Sequence, residues 1–178
     1  GSEMCIRDRY FTSAWDQKRF SKKITNFCQR NLYLSMQSMF HLAMKVSSIS
    51  EGKSFYCDLL GCDAGRSEDD WQDINFFGNE LTLHEDPYFQ KNKLKTSKIV
   101  DMCDIPVPHF GIHLDREVFD DVKTRLANYN DANILLEPFV RFKGRPPEQE
   151  TMFVCDPFNY VIEFKSMKNP SMLWDVKS

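Results

Sequence analysis

Four histidines, at positions 41, 84, 109 and 113, carry much of the chemical capacity of this 178-residue chain, because neutral imidazole ligates divalent metals and exchanges its proton near neutral pH. Two of them stand in matching settings. His41 lies in Phe40-His41-Leu42-Ala43-Met44-Lys45-Val46, and His109 opens His109-Phe110-Gly111-Ile112-His113-Leu114-Asp115, strand-like runs whose histidines are 68 residues apart. Lys45 and His113 each follow four residues later, on the same strand face as the histidine. His113 is thus either an acid or base for a reaction near His109 or a hydrogen-bonded histidine of a pocket wall. Lys45 is the corresponding substrate-binding cation. Arg141 and Lys143, two apart on a strand, suit a substrate carboxylate or phosphate, with pairing to Glu148 or Glu150 of the neighbouring hairpin as the competing reading.

The elements that must position these groups repeat. After the first run, Ser48-Ile49-Ser50-Glu51 has a capping-box pattern, followed by Phe55, Tyr56, Leu59 and Leu60 on one helical face and a stop at Gly61. After the second, Asp115 caps a helix with Val118, Phe119, Val122 and Leu126 on one face. Strands follow each helix: Trp71 to Phe77 and Glu80 to Glu85 in the first copy, with a weaker one over Cys62 to Ser67, then Ile134 to Phe142, Thr151 to Cys155 and Tyr160 to Lys165 in the second. Gly78-Asn79 and Pro157-Phe158-Asn159 supply turns. The pattern is βαβββ used twice: module 1 over 39–86, a linker over 87–107, module 2 over 108–168 and a tail over 169–178.

Composition narrows the function classes. The net charge of -3 is unevenly shared: residues 1–38 hold seven Lys or Arg against three acids, leaving sixteen against twenty-three in the remainder. An acidic body with one lysine-rich loop (Lys91, Lys93, Lys95, Lys98) gives no footprint for nucleic acid. Six cysteines without CxxC or zinc-ribbon spacing read as reduced thiols of a cytoplasmic protein. No run approaches the roughly 20 apolar residues of a membrane span. The basic head over 1–38 reads either as tag-like, poorly packed sequence or, from Tyr10 to Ser35, as a mitochondrial or plastid transit peptide.

The doubled βαβββ unit, opened by a histidine strand and closed by a carboxylate strand, resembles the vicinal-oxygen-chelate superfamily of glyoxalases, bleomycin-resistance proteins and extradiol dioxygenases. The resemblance covers nearly all of 39–168. It rests on Phe40-His41-Leu42-Ala43, Phe55 through Gly61, Asn75-Phe76-Phe77-Gly78, Val107-Pro108-His109-Phe110-Gly111, Arg141-Phe142-Lys143-Gly144, and Asp156-Pro157 through Ile162-Glu163-Phe164. Asp156-Pro157-Phe158-Asn159-Tyr160 departs from the usual DPxGN turn, although Asn also tolerates positive φ. The resemblance implies an α+β fold, two modules forming a half-open, eight-stranded, barrel-like sheet around a metal cleft, and a homodimer.

It also implies a ligand set. A lone histidine is more often a surface or structural residue, but His41 and His109 occupy equivalent family ligand positions and Glu163 the carboxylate position. Together they make a 2-His-1-carboxylate face suited to Fe2+, with Mn2+, Ni2+ or Zn2+ as alternatives. His84, two residues beyond the position aligned with Glu163, is either a fourth ligand or a base outside the coordination sphere. The resemblance leads to an extradiol-type dioxygenase chelating vicinal oxygens of a small substrate. A glyoxalase-type lyase or isomerase and a metal-free, drug-sequestering binding protein are the alternatives.

Overall fold

Alternation and turn residues account for the strands of the computed structural model, which describes residues 38–93, 98–100 and 103–175. The readings made for 1–37, tag or transit peptide, lie outside the described residues. Module 1 runs β1 (His41–Val46), helix α1 (Ile49–Lys53) continuing as a π-helical stretch (Ser54–Leu59), β2 (Asp63–Glu68), β3 (Trp71–Phe76) and β4 (Asn79–Glu85). In β1 the odd positions are exposed, while Met44 and Val46 are buried, the period-2 pattern of a half-buried strand. The Ser48 side chain accepts from the Glu51 N–H and starts α1. Gly61, at φ +80, ends the helical stretch in a conformation that a Cβ disfavours.

A two-stranded hairpin, β5 (Lys98–Val100) and β6 (Cys103–Ile105), lies in the segment expected to be a plain linker. Module 2 then runs β7 (Phe110–His113), α2 (Arg116–Ala127), β8 (Asn133–Arg141), β9 (Gln149–Cys155), β10 (Val161–Met167) and a final 3-10 turn (Pro170–Trp174), so the expected tail also holds structure. Phe119, Val122 and Leu126 form the buried stripe of α2. Val118, expected on that face, is 39% exposed, because it lies about 100° around the helix from Phe119.

Each module forms a four-stranded mixed sheet, in orders β1-β4-β3-β2 and β7-β10-β9-β8. Within each, the first strand pairs in parallel with the last, and the last pairs antiparallel with the one before it. The registers match across the repeat: Ala43 pairs with Thr82 and Gly111 with Glu163, so Thr82 and Glu163 hold equivalent positions. Pro138 falls in the edge strand β8, where a missing N–H costs no ladder bond. Asn159 adopts φ +63, preserving the turn despite the absence of glycine.

One apolar cluster is shared by both modules, with Tyr56, Phe76, Leu81 and Leu83 from the first and Phe119, Met152, Phe158 and Phe164 from the second. Phe76 packs edge-on to Phe110 at 5.8 Å between ring centroids, and Phe77 to Phe164 at 6.2 Å. Burying each such ring contributes about 1.5–3 kcal/mol. No helix among the described residues is long and apolar enough to cross a membrane.

Candidate metal centre

The parallel pairing of β7 with β10 puts His109, Gly111 and His113 beside Glu163 and Lys165 on one sheet face, since alternate residues of a strand share a face. Gly111 permits this closeness: a Cβ there would fall 2.2 Å from the Glu163 carbonyl oxygen and 2.9 Å from the Glu163 Cβ. The result is a slot without a side chain between His109 and His113.

His109 Nε2 lies 3.2 Å from Glu163 Oε2. Its Nδ1 is hydrogen-bonded to the carbonyl of Pro106, and because a carbonyl can only accept, Nδ1 carries the proton. The Glu163 carboxylate can also only accept, so the contact to it is made by Nε2–H, and the ring that makes both bonds is the doubly protonated imidazolium. The ring also stands edge-on to Phe153, 5.2 Å between centroids, which fixes its plane.

Glu163 is 5% exposed, and every oxygen is engaged. Oε1 accepts from the Thr151 hydroxyl at 2.9 Å, and Oε2 faces Lys165 Nζ at 2.9 Å. Burial pushes its carboxyl up, but the His109 and Lys165 contacts and the Thr151 bond outweigh it and hold the pKa at about 2. Reciprocally, the bond to Glu163 raises the His109 pKa against the opposing effect of burial. His113 is shifted the other way, by burial and then by the Lys165 charge.

These residues fit a metal ion. His109 Nε2 and Glu163 Oε2, 3.2 Å apart, are the imidazole and carboxylate donors that would hold a divalent ion here. The Pro106 carbonyl and Thr151 hydroxyl are the outer contacts that ordinarily orient a ligating imidazole and carboxylate. Loading such a site would exchange the Nε2 proton for the cation.

Other expected groups are placed elsewhere. His41 Nδ1 is 2.9 Å from Glu80 Oε2, with 54% of the imidazole exposed. Glu80 is in turn bridged by Arg66 to Asp73, which accepts from Thr82. His84 is exposed, across from Lys45 in β1 and Trp71 in β3. Lys45 is paired with Asp86 at 2.9 Å. Arg141 sits at the end of β8 with its guanidinium 4.9 Å from the Phe142 ring. Lys143 does not share a strand face with Arg141: β8 ends at Arg141, Phe142 turns the chain at φ +54, and Lys143 is exposed in the loop. Among the described residues, no three His, Cys, Asp or Glu side chains are gathered as ligands of one ion, so His109 and Glu163 form a two-donor site.

Thr151, Lys165 and Gly111 were not singled out as site residues by their sequence. Lys165 was legible by parity, two residues beyond Glu163. Thr151 requires the β9–β10 register, which pairs it with Lys165.

No family model matches the chain. No curated protein matches it. Among solved structures it is similar to the glyoxalase/bleomycin resistance protein/dioxygenase from Alicyclobacillus acidocaldarius, at 29% identity over 78% of this chain and 97% of that one, with a TM-score of 0.60. It also matches a glyoxalase/dioxygenase from Nostoc punctiforme at 17% identity, over 76% of this chain and 94% of that one, with a TM-score of 0.56. The fosfomycin resistance protein FosX from Listeria monocytogenes follows at 11% identity, over 74% and 93% of the two chains, with a TM-score of 0.52. The chain has the fold of the vicinal-oxygen-chelate superfamily.

Proposed function

We propose that the chain is a metal-dependent enzyme of extradiol-dioxygenase type, with a divalent ion, iron foremost, held by His109, Glu163 and His41. One observation carries this reading: His109 has its Nδ1 proton committed to Pro106 and its Nε2 directed at a buried, ionised carboxylate 3.2 Å away. His41, at the equivalent position of module 1, is the third donor and must leave Glu80 to serve. Such an ion supplies a Lewis acid with open positions for two adjacent oxygens of a small substrate.

The chain's own residues provide the rest. Lys165 opposes negative charge near the ion site. His113, kept neutral by burial and by Lys165, accepts a substrate proton at neutral pH. The Alicyclobacillus and Nostoc proteins are described as both glyoxalase and dioxygenase, so a glyoxalase-type lyase or isomerase is the second reading.

The test is metal analysis of protein purified anaerobically, beside His109→Ala and Glu163→Gln. Stoichiometric iron in the wild type, lost in both variants, together with oxygen uptake on catechol-like diols, supports the dioxygenase. Nickel or zinc without oxygen uptake moves the assignment to the lyase. Full metal retention by His109→Ala overturns the site.

A further inference from the structure

Beside the His109–Glu163 pair, on the same face of module 2, lies a pocket of about 330 Å³. Two residues join it to the centre: His113 and Lys165 line it, and Lys165 Nζ also touches Glu163 Oε2 at 2.9 Å. The other lining groups divide by chemistry. Phe142, Met172 and Leu173 are apolar, whereas Arg145 and Gln149 are hydrogen-bond donors.

Both donors are uncommitted. The Arg145 guanidinium lies 5.6 Å from the Phe142 ring centroid and makes no ion pair among the described residues. The neighbouring Glu148 carboxylate is already occupied by the Gly144 N–H and Lys168. Gln149 is 7% exposed, yet its side-chain amide has no hydrogen-bond partner among the described residues and borders the pocket. The amide is therefore free to bond an acceptor that enters the pocket. Asp175 is the one carboxylate in the wall, against Arg145, Lys165 and Gln149. The wall therefore offers positive charge, a planar fork and a carbon-lined side.

We infer that this pocket takes the carboxylate of a small aromatic or aliphatic substrate, held by Arg145 and Gln149 with Lys165 between it and the metal centre. The inference rests on the proposed function for the word substrate, but the binding itself does not require turnover. A guanidinium fork matches a carboxylate in two parallel bonds, and Phe142, Met172 and Leu173 cover the carbon skeleton. The substrate class is thereby an organic acid whose carboxylate lies away from its metal-bound oxygens.

The experiment is calorimetric titration of the full chain with benzoate and, as the neutral counterpart, benzyl alcohol, repeated on Arg145→Gln and Gln149→Leu. Metal content is measured on the same samples. Expected is saturable benzoate binding, at least tenfold weaker in Arg145→Gln and weakened in Gln149→Leu, with benzyl alcohol binding at least tenfold more weakly than benzoate. Metal content in Arg145→Gln should equal that of the wild type. Equal binding of benzoate and benzyl alcohol, or unchanged benzoate affinity in Arg145→Gln, overturns the pocket assignment. Inorganic phosphate binding more tightly than benzoate overturns the choice of carboxylate. Arg145-dependent benzoate binding in protein that takes up no metal retains the pocket and rejects the enzyme reading, so the two failures are distinguishable.

Discussion

The phenol of Tyr56 donates to Asp156 Oδ2 at 2.8 Å, tying the helical stretch of module 1 to the β9–β10 turn of module 2 through a buried bond. Asp156 Oδ1 meanwhile accepts from the Phe158 and Tyr160 N–H groups. Burial nevertheless dominates and pushes the Asp156 carboxyl up to about 6. Because this is above its unfolded value, the native state holds the proton more tightly. Stability should therefore fall as pH rises from about 4 to about 6, by about 3 kcal/mol from this group. Tyr56→Phe removes a bond that favours the ionised form, so it should cost about 1–3 kcal/mol at pH 7 and less at pH 4. Urea unfolding at the two pH values measures both effects, and an equal loss at each would count against this account.

Gly111→Ala should be the most damaging single-methyl change in module 2. Its Cβ meets the Glu163 backbone, which cannot yield as a flexible side-chain end would. Separating β7 from β10 should cost about 1–3 kcal/mol and displace His109 from Glu163. Thermal unfolding should show the loss, and metal titration of the surviving folded fraction should show weakened binding.

Thr151→Val keeps the shape of a fully buried residue but removes the donor to Glu163 Oε1. The Glu163 pKa should rise, and metal affinity should drop roughly 10- to 100-fold, as for other residues that orient a ligand. Competition against a chromophoric chelator as a function of pH reads this directly, with the deficit largest on the acid side.

His41→Ala and His84→Ala should separate the two remaining histidines. His41 is the repeat equivalent of His109, whereas Thr82, not His84, occupies the place of Glu163. Metal affinity is expected to fall at least tenfold in His41→Ala and to hold within twofold in His84→Ala. The reverse result would make His84 the third donor.

Local periodicity made the modules legible: the Ser48 cap, the Phe119-Val122-Leu126 stripe and the positive φ at Asn159 follow from nearby residues alone. β2 was faint because all six of its positions are exposed, leaving no alternation to read. That His109 and Glu163 belong to one site was implied by the family resemblance, and the β7–β10 register puts them side by side. What remained hidden needed three-dimensional register or rotamer choice. Thr151 reaches Glu163 only through the β9 pairing, and His41 turns to Glu80, the residue directly across the parallel ladder. Lys143 was misplaced because a strand end set by Phe142 shifts every later residue off the face.

The apolar cluster that draws on both sheets has a bearing on how such a chain comes apart and together. Phe76 needs Phe110, Tyr56 needs Asp156, and Gly52 lets Leu83 and Phe158 close over α1, so neither half covers its own interior. Two half-chains produced as separate polypeptides should be aggregation-prone alone and should recombine when co-expressed. A primordial single-unit version of this protein would, by the same reasoning, have needed a twin before the two became one gene.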